Sequence, residues 1–358
     1  MNLRICYLHD ENLNASKGVA RKISGQVAFW RSQGCHVDII GLRKSMEGGD
    51  SRSGVQKLLA HWKNVHVRKR ELLSNGYDLV YLRYIKWAPE LPALLRGMGC
   101  VILELNTNDL TEFRLAGVAH GWYNRMTRSQ VYGSAHGCVA VTHEILEQAP
   151  IGRSTRTIVI GNGIDPDHCQ FRPTLNRNGQ PEWDYDLTMT VGELSPWHGL
   201  DKILDLASEI NELRIAIVGN VPAALTVPNN VTFTGPLTAE ELSAHYSRTV
   251  CAVSTLALHR NRMNEGCPLK SREYLVHGVP MIMAYEDPDV PDTCDSVLRL
   301  PNTESNVRES VDLIRSFVWR ARSMDREAIS KKAIRLLSNS TKERLRLAFM
   351  DDVVSKQS

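Results

Sequence analysis

At 358 residues, with 42% hydrophobic residues and a net charge of +3, the chain is too long for one ordinary domain and comfortable for two. Its hydrophobic content is that of a soluble globular protein, and no apolar run approaches the roughly 18 residues a membrane span needs. The charge is unevenly spread: residues 1–165 carry 21 Lys and Arg against 14 Asp and Glu, so the first half is basic and the rest acidic. A basic half can face an anionic acceptor or an anionic membrane surface, or be an ordinary solvated surface. The eight cysteines are scattered, with no C-x-x-C pair. They read as reduced core thiols of a cytosolic protein, with no disulfide framework and no metal site. After Met1-Asn2-Leu3-Arg4 the chain goes straight into a strand, so no signal peptide is expected.

Residues 3–8 predict an apolar strand. Asn14-Ala15-Ser16-Lys17-Gly18-Val19 is a small-residue loop, a helix runs on to about residue 32, and residues 37–42 form a second strand. Strand, loop, helix, strand is a βαβ unit, which predicts a parallel sheet. There is no G-x-G-x-x-G, which argues against a dinucleotide fingerprint. Residues 55–73 predict a basic amphipathic helix. Leu58, Leu59 and Trp62 make its apolar side, and Lys57, Lys63, Arg68, Lys69 and Arg70 supply the charge. Such a helix either packs on its own sheet or lies on an anionic membrane.

Residues 78–83 and 101–105 are the next strands. The polar loop Asn106-Thr107-Asn108-Asp109 follows the second of them. Loops at the carboxyl ends of parallel strands carry ligand sites, which makes Asn106 and Asp109 candidates for binding hydroxyls. Helix capping is the alternative use for the same residues. His120, Arg125 and Arg128 fall on a helix. Residues 136–141 and 157–160 are strands, and the second leads into Gly161-Asn162-Gly163-Ile164-Asp165, where turn chemistry is strong. Residues 166–183, rich in Pro, Asn, Gln and Arg, predict a linker.

A second parallel sheet opens at residues 187–191. Gly192-Glu193-Leu194-Ser195-Pro196-Trp197-His198-Gly199-Leu200 follows, then a helix to about residue 212. Strands at 215–218 and 231–234 precede a helix opened by a capping-box pattern at Thr238 and Glu241. Residues 251–255 are a strand and 256–264 a loop. The next stretch, Asn264 to Ile282, is the most informative. Pro268 suits the first helical position, while Gly278 and Pro280 suit the end of a short helix. Glu265 sits just before that helix and Glu273 inside it. A helix N-terminus can hold a phosphate, and flanking carboxylates can accept hydrogen bonds from sugar hydroxyls. Residues 279–283 read as a buried strand, 297–298 as a late strand, and 309–354 as helix interrupted near Ser323.

Glu265 and Glu273, with the 161–165 and 192–200 stretches in the same order and roughly the same spacing, resemble the E-x7-E pattern of retaining glycosyltransferases of family 4. The resemblance implies an α/β fold of the GT-B type, with two Rossmann-like domains facing each other across a cleft. It implies an acceptor-binding domain over residues 1–165 and a nucleotide-sugar-binding domain over 166–335. Residues 336–358 would form a C-terminal helix returning to the first domain. The activity implied is retaining, metal-independent transfer of a sugar from a UDP-linked donor to a glycan, lipid-linked or small-molecule hydroxyl. No cofactor and no nucleic acid is implied. The place implied is the cytoplasm, with peripheral contact on the inner face of a membrane.

Carried over residue by residue, Glu265 would bind sugar hydroxyls beside the backbone of Gly266 and Cys267. Glu273 would bind the ribose, and Leu269 would lie near the diphosphate. Gly18 would let the donor phosphate approach, unless it is only a turn residue. Asn106 stands where many relatives have a histidine near the transferred sugar. Asp109, His120 and Arg125 would line the acceptor side. The sequence departs from the family at four further places. Lys17 replaces a glycine, Pro268 removes a backbone donor, Glu193 stands for an arginine and His198 for a lysine. Both lost cations would normally neutralise the diphosphate. Lys270, Arg272, Arg260 and Arg262 are near enough in sequence to compensate. Lys270, in the first helical turn, is the best placed, and Arg272 can equally be a solvated surface residue. A catalytically weak sugar-nucleotide-binding or partner protein is therefore the main alternative, with a sugar-nucleotide epimerase behind it.

Overall fold

The computed structural model describes residues 3–13, 17–42, 54–115, 117–166, 182–192, 194–222, 225 and 227–357. Most of the predicted linker, the loop residues 14–16 and Glu193 lie outside that set. The chain divides into two compact units: Met1–Gly161 with Lys342–Ser358, and Asn162–Thr341.

The first unit holds β1 (Arg4–His9), α1 (Lys17–Ser32), β2 (His36–Gly41), α2 (Gly54–Ser74), β3 (Leu79–Arg83), α3 (Leu91–Gly97), β4 (Cys100–Leu105), α4 (Asp109–Leu115), α5 (Val118–Tyr132), β5 (Gly137–Ala140), α6 (His143–Glu147) and β6 (Arg156–Val159). Its strands are near-continuous apolar runs, as a sheet covered on both faces requires. They form one parallel sheet in the order β2-β1-β3-β4-β5-β6, with Ile5 opposite both Val37 and Leu79. Trp30 packs edge-on against Tyr81 at 4.9 Å, and Tyr7 lies 5.4 Å from Tyr81. α2 buries His61, Val65 and Leu72, while Leu59 is exposed. The predicted apolar side was therefore misplaced: the buried stripe is rotated toward His61 and Val65.

The second unit holds β7 (Tyr185–Val191), α7 (Leu200–Glu209), β8 (Ile215–Gly219), β9 (Val231–Gly235), α8 (Ala239–Ser247), β10 (Thr249–Val253), α9 (Leu269–Val276), β11 (Met281–Met283), β12 (Val297–Arg299), α10 (Asn306–Glu309), α11 (Val311–Ala321) and α12 (Arg326–Leu337). Its parallel sheet runs β12-β11-β10-β7-β8-β9. The strand order reverses between β7 and β10, and at such a reversal the loops part and leave a crevice at the carboxyl ends. The capping box at α8 is present, with Thr238 and Glu241 bonded reciprocally at 3.2 and 2.8 Å. Gly278 has φ +70°, and a Cβ there would come within 2.3 Å of the Arg326 carbonyl oxygen, so only glycine fits. The Arg326 side chain in turn donates to the carbonyls of Gly278, Thr249 and Tyr246 at 3.0–3.1 Å.

The last helix, α13 (Asn339–Ser355), belongs to the first unit from Lys342 onward. Its Leu347, Phe349, Met350 and Val353 join the core of β1, β3 and β4. A Cβ on Gly137 would lie 3.0 Å from Val353 and 3.2 Å from Phe349, so the glycine lets α13 seat on β5.

Candidate functional site

The segments that follow β7 and β10 carry the second unit's predicted site residues, Glu193 apart. After β7 the backbone is open at Gly192, where a Cβ would meet nothing within 4 Å. The chain then makes a tight turn, Pro196–His198, closed by Gly199 at φ +76°. A Cβ on Gly199 would lie 2.9 Å from that of Leu256. The turn is fastened to the loop after β10. The Leu256 N–H donates to the His198 carbonyl and the Ala257 N–H to that of Trp197, both at 3.1 Å.

The loop carrying Glu265 is held by its backbone. The Glu286 N–H donates to the Asn264 carbonyl at 2.8 Å, and the Gly266 N–H to the Glu286 carbonyl at 2.9 Å. Asn302 donates to the Met263 carbonyl at 2.8 Å. Gly266 leaves no spare room: a Cβ would lie 3.2 Å from the Tyr285 ring and 3.3 Å from Leu258. Asn162 ties the first motif to the third. Its N–H lies 2.9 Å from the Cys267 sulfur, and its side-chain amide donates to the Cys267 carbonyl at 2.6 Å.

Pro268 is the residue before α9, not its first helical residue: its φ/ψ of −72°/141° is extended, and the helix starts at Leu269. The first-turn N–H groups have no place in the helix's own ladder and carry its partial positive charge. Beneath that turn the hydroxyls of Ser254, Ser271 and Tyr285 close a buried triangle at 2.6–2.9 Å. The Tyr274 hydroxyl accepts from the Thr190 N–H at 3.0 Å and donates to the Val253 carbonyl at 3.3 Å, fixing α9 to both β7 and β10. Glu265 and Glu273 are both half-buried, so neither is sealed in the core.

Two basic side chains converge here, and neither is the cation that sequence reasoning anticipated. Lys270 Nζ lies 3.4 Å from the Thr190 carbonyl oxygen. Burial pushes its ammonium down to about 7, so it is not permanently charged. His198 is pushed down to about 3, by burial first and then by the charge of Lys270 beside it. Its Nδ1 accepts the Ser195 N–H at 3.2 Å. It is a neutral loop-capping residue at the position where the resemblance implies a lysine.

Two of the other nearby arginines, Arg272 and Arg260, are committed. Arg272 is fully buried, contrary to a solvated surface role. It pairs with Asp287 and reaches Asp289 at 2.9 Å and the Asn162 carbonyl at 3.2 Å. Arg260 donates to Asp201 at 2.6 and 2.9 Å and also pairs with Glu304. Arg262 is exposed, with φ 55°. Cys267, Asp287 and Asp289 lie within 4.8 Å of one another. The Arg272 guanidinium already balances the two carboxylates, and burial pushes the Cys267 thiol up to about 11. The cluster is a buried ion pair whose donors do not suit a metal.

In the first unit, Gly18 is exposed in the first turn of α1. Asn106 donates to Glu104 at 3.0 Å and accepts from Lys22, so both ends of its amide are tied. Glu104 is fully buried. It accepts from Lys22 at 3.1 Å and from Tyr7 and Gln26 at 3.2 Å, and it lies 3.8 Å from both Arg83 and Arg346. Burial alone would raise its carboxyl, but Lys22, Arg346 and Arg83 outweigh burial and hold it well below the usual carboxylate range. Asp109 is spent inside the unit on Asn124 (2.6 Å), Arg128 (2.7 Å) and Tyr132 (3.2 Å), which corrects its assignment to an acceptor. Arg125 is exposed on α5, and His120 packs against Gly54.

Sequence reasoning missed Lys22, Glu104 and Arg346. One signal was available: a lone glutamate inside the apolar strand CVILEL. Ser254, Ser271 and Asn302 gave none, because their partners are remote in the chain.

No model of a known protein family matches the chain, and no curated protein matches it. Solved structures match over nearly its whole length. It is similar to sucrose-phosphate synthase from Thermosynechococcus elongatus, at TM-score 0.71 and 14% identity, with 100% of both chains covered. It is similar to a glycosyltransferase from Rickettsia africae, at TM-score 0.67 and 13% identity, with 99% of both chains covered. It is also similar to Anabaena HepE, solved with UDP and glucose, at TM-score 0.65 and 12% identity, covering 98% of this chain and 100% of the other. Two parallel six-stranded sheets, each with its own flanking helices, give this chain the two-domain α/β GT-B fold of those glycosyltransferases.

Proposed function

We propose that the protein is a retaining glycosyltransferase, similar to family 4, that moves a sugar from a UDP-linked donor to a hydroxyl acceptor without a metal. The observation that carries this reading is the crevice at the strand-order reversal of the second unit. There an open glycine backbone follows β7, while Glu265 in the loop after β10 and Lys270 and Glu273 in α9 follow β10, both glutamates half-buried. Glu273 accepts hydrogen bonds from the ribose and Glu265 from the sugar. Lys270 takes up a proton and neutralises the diphosphate with the helix N-terminus. The acceptor oxygen bonds to the anomeric carbon as the bond to the diphosphate oxygen breaks. The acceptor proton passes to that departing oxygen on the same face, which retains the configuration. The protein's own work is positioning and charge stabilisation.

The test is purified protein incubated with a panel of sugar nucleotides. Slow release of free UDP from one of them, lost in Glu265→Gln, is the expected result. Interconversion of sugars would instead mark an epimerase. One observation favours a second reading, a sugar-nucleotide-binding protein of weak activity: neither His198 nor Lys270 is a permanent cation. Donor binding without release of UDP would select it.

A further inference from the structure

We infer that Arg272 is a positioning residue of the donor site: one buried guanidinium sets Glu265 and Glu273 in register with each other. The inference rests on the activity proposed above. Glu273 lies on α9, but Glu265 lies in the loop before it, across the extended Pro268. The helix alone therefore cannot fix the separation of the two carboxylates. A link between loop and helix is needed, and it runs through Arg272, the residue before Glu273.

Both terminal nitrogens of Arg272 donate to Asp287, Nη2 at 2.8 Å, and Nη2 also reaches Asp289 at 2.9 Å. Its Nε donates to the Asn162 carbonyl at 3.2 Å. Asp287 and Asn162 both lead to the Glu265 loop. Asp287 follows Glu286, whose backbone forms a parallel bridge with Glu265. There the Glu286 N–H donates to the Asn264 carbonyl at 2.8 Å, and the Gly266 N–H to the Glu286 carbonyl at 2.9 Å. Asn162 holds the other end of the loop, its side-chain amide donating to the Cys267 carbonyl at 2.6 Å. The chain on both sides of Glu265 is thus tied to the residue before Glu273.

Arg272 is 0% exposed, so it touches neither donor nor acceptor and acts through the glutamates. Consecutive helix residues do not face each other, which lets Arg272 enter the core while Glu273 stays half-buried. Stability alone does not call for such a pair, since apolar residues of similar volume often serve a core as well. What they lack is directional bonding to separate chain segments. Lysine, a point charge without the planar fork, lacks it too. α9 has a second fastening, from the Tyr274 hydroxyl to Thr190 and Val253. Loss of Arg272 should therefore free the Glu265 loop more than the helix that carries Lys270 and Glu273.

The experiment compares three variants with the wild-type chain. Arg272→Met leaves the buried Asp287 without its cation, which destabilises strongly. Arg272→Met with Asp287→Asn removes that charge, and the new amide oxygen still accepts from the Asp289 N–H, a bond of 3.1 Å. This double variant should unfold at a higher urea concentration than the single one. In it the amides of Gly266 and Glu286 should exchange with deuterium at least about tenfold faster than in the wild type, while those of β8 stay unchanged. Release of UDP from saturating sugar nucleotide should fall about a hundredfold, as a misplacement of about 1 Å costs. UDP affinity should fall less than about fivefold, because α9 keeps its second fastening. Arg272→Lys keeps the charge and should regain stability but not transfer. Wild-type exchange at both amides in the double variant, or wild-type transfer by it or by Arg272→Lys, overturns the inference. So does a loss of UDP affinity as large as the loss of transfer, since the pair would then support the whole helix. If the wild type releases UDP from no sugar nucleotide, the proposed activity fails, and exchange at Gly266 and Glu286 decides the positioning role by itself.

Discussion

The two sheets end in opposite electrostatic states. At the carboxyl edge of the first, Glu104 is surrounded by Lys22, Arg83 and Arg346, and Arg346 also holds Glu343 at 2.6 Å. Those charges are balanced within the protein. At the carboxyl edge of the second, Lys270 has a carbonyl oxygen at 3.4 Å and a neutral histidine as neighbours. Burial is the one cause of its lowered ammonium, with no carboxylate among the described residues to offset it. Similar topology therefore supports two uses of buried charge. One cluster is complete and fastens α13 to the sheet. In the other, no described carboxylate offsets Lys270, and the diphosphate of the proposed donor would supply the anion.

The largest expected effect comes from breaking the complete cluster. Arg346 donates to the carbonyls of Ile160 and Gly161 at 3.1 and 3.2 Å as well as to Glu343. Arg346→Leu leaves two buried carboxylates short of a cation, which should cost about 3–5 kcal/mol. Urea unfolding measures it. A loss below about 1 kcal/mol, the worth of an exposed pair, would mean that Glu104 is not held by charge. The pH dependence has a definite sign. A carboxyl depressed in the folded state stabilises above its unfolded value of about 4 and stops doing so as pH falls through the folded one.

Next is the incomplete cluster. Lys270→Ala should weaken UDP binding by about 1.5–3 kcal/mol, the range for a hydrogen bond to a charged group. The protonated form must be restored on binding, so UDP binding should take up a proton near pH 8. Calorimetry in buffers of different ionisation heat detects that uptake. Affinity should fall as pH rises above about 7 and stay level below it. Lys270→Arg should bind with no such slope, because arginine keeps its proton. A flat profile in the wild type would mean that Lys270 is already charged or lies off the diphosphate.

How much of this was legible in the sequence depended on distance along the chain. Apolar strands, the βαβ order and the capping box at Thr238 are local signals, and they gave both parallel sheets. The position of α9 was legible to within one residue, because Pro268 and Gly278 punctuate it. The state of its charges was not. That burial lowers the Lys270 ammonium, that His198 caps a turn and that Arg272 is buried on Asp287 all follow from packing by elements scattered through the second unit. Asp109 shows the same limit. A polar loop residue after a strand reads as a ligand group until Arg128 and Tyr132, on another helix, are seen to occupy it.

Between the two glutamates the expected effects separate by ligand. Glu273→Ala should cost about 1.5 kcal/mol toward UDP alone, through the ribose. Glu265→Gln should leave UDP affinity unchanged and damage transfer, since its partner is the sugar. Calorimetry with UDP, and turnover at saturating donor, check the two. Equal loss of UDP affinity in both variants would put both carboxylates on the nucleotide.

The smallest effect is expected at His198, and it sharpens the contrast with Lys270. An imidazole lowered to about 3 stays neutral through the physiological range, so it adds no pH dependence to donor affinity between pH 6 and 8. What it contributes is the bond from the Ser195 N–H to Nδ1, which closes the turn Pro196–His198. His198→Asn retains a side chain that can accept that bond and should change UDP affinity by less than about 0.5 kcal/mol. His198→Ala leaves the donor without its partner and should cost about 1 kcal/mol of fold stability, with a smaller loss of affinity that is the same at pH 6 and pH 8. The sign on stability is also fixed. A histidine neutral in the folded state lowers stability as pH falls from about 6.5 toward 3, because the unfolded chain binds the proton first. That acid slope should lessen in His198→Ala. If His198→Ala instead removes the pH dependence of UDP binding while Lys270→Arg keeps it, the titrating group at the diphosphate is the histidine, and the roles given to the two residues are reversed.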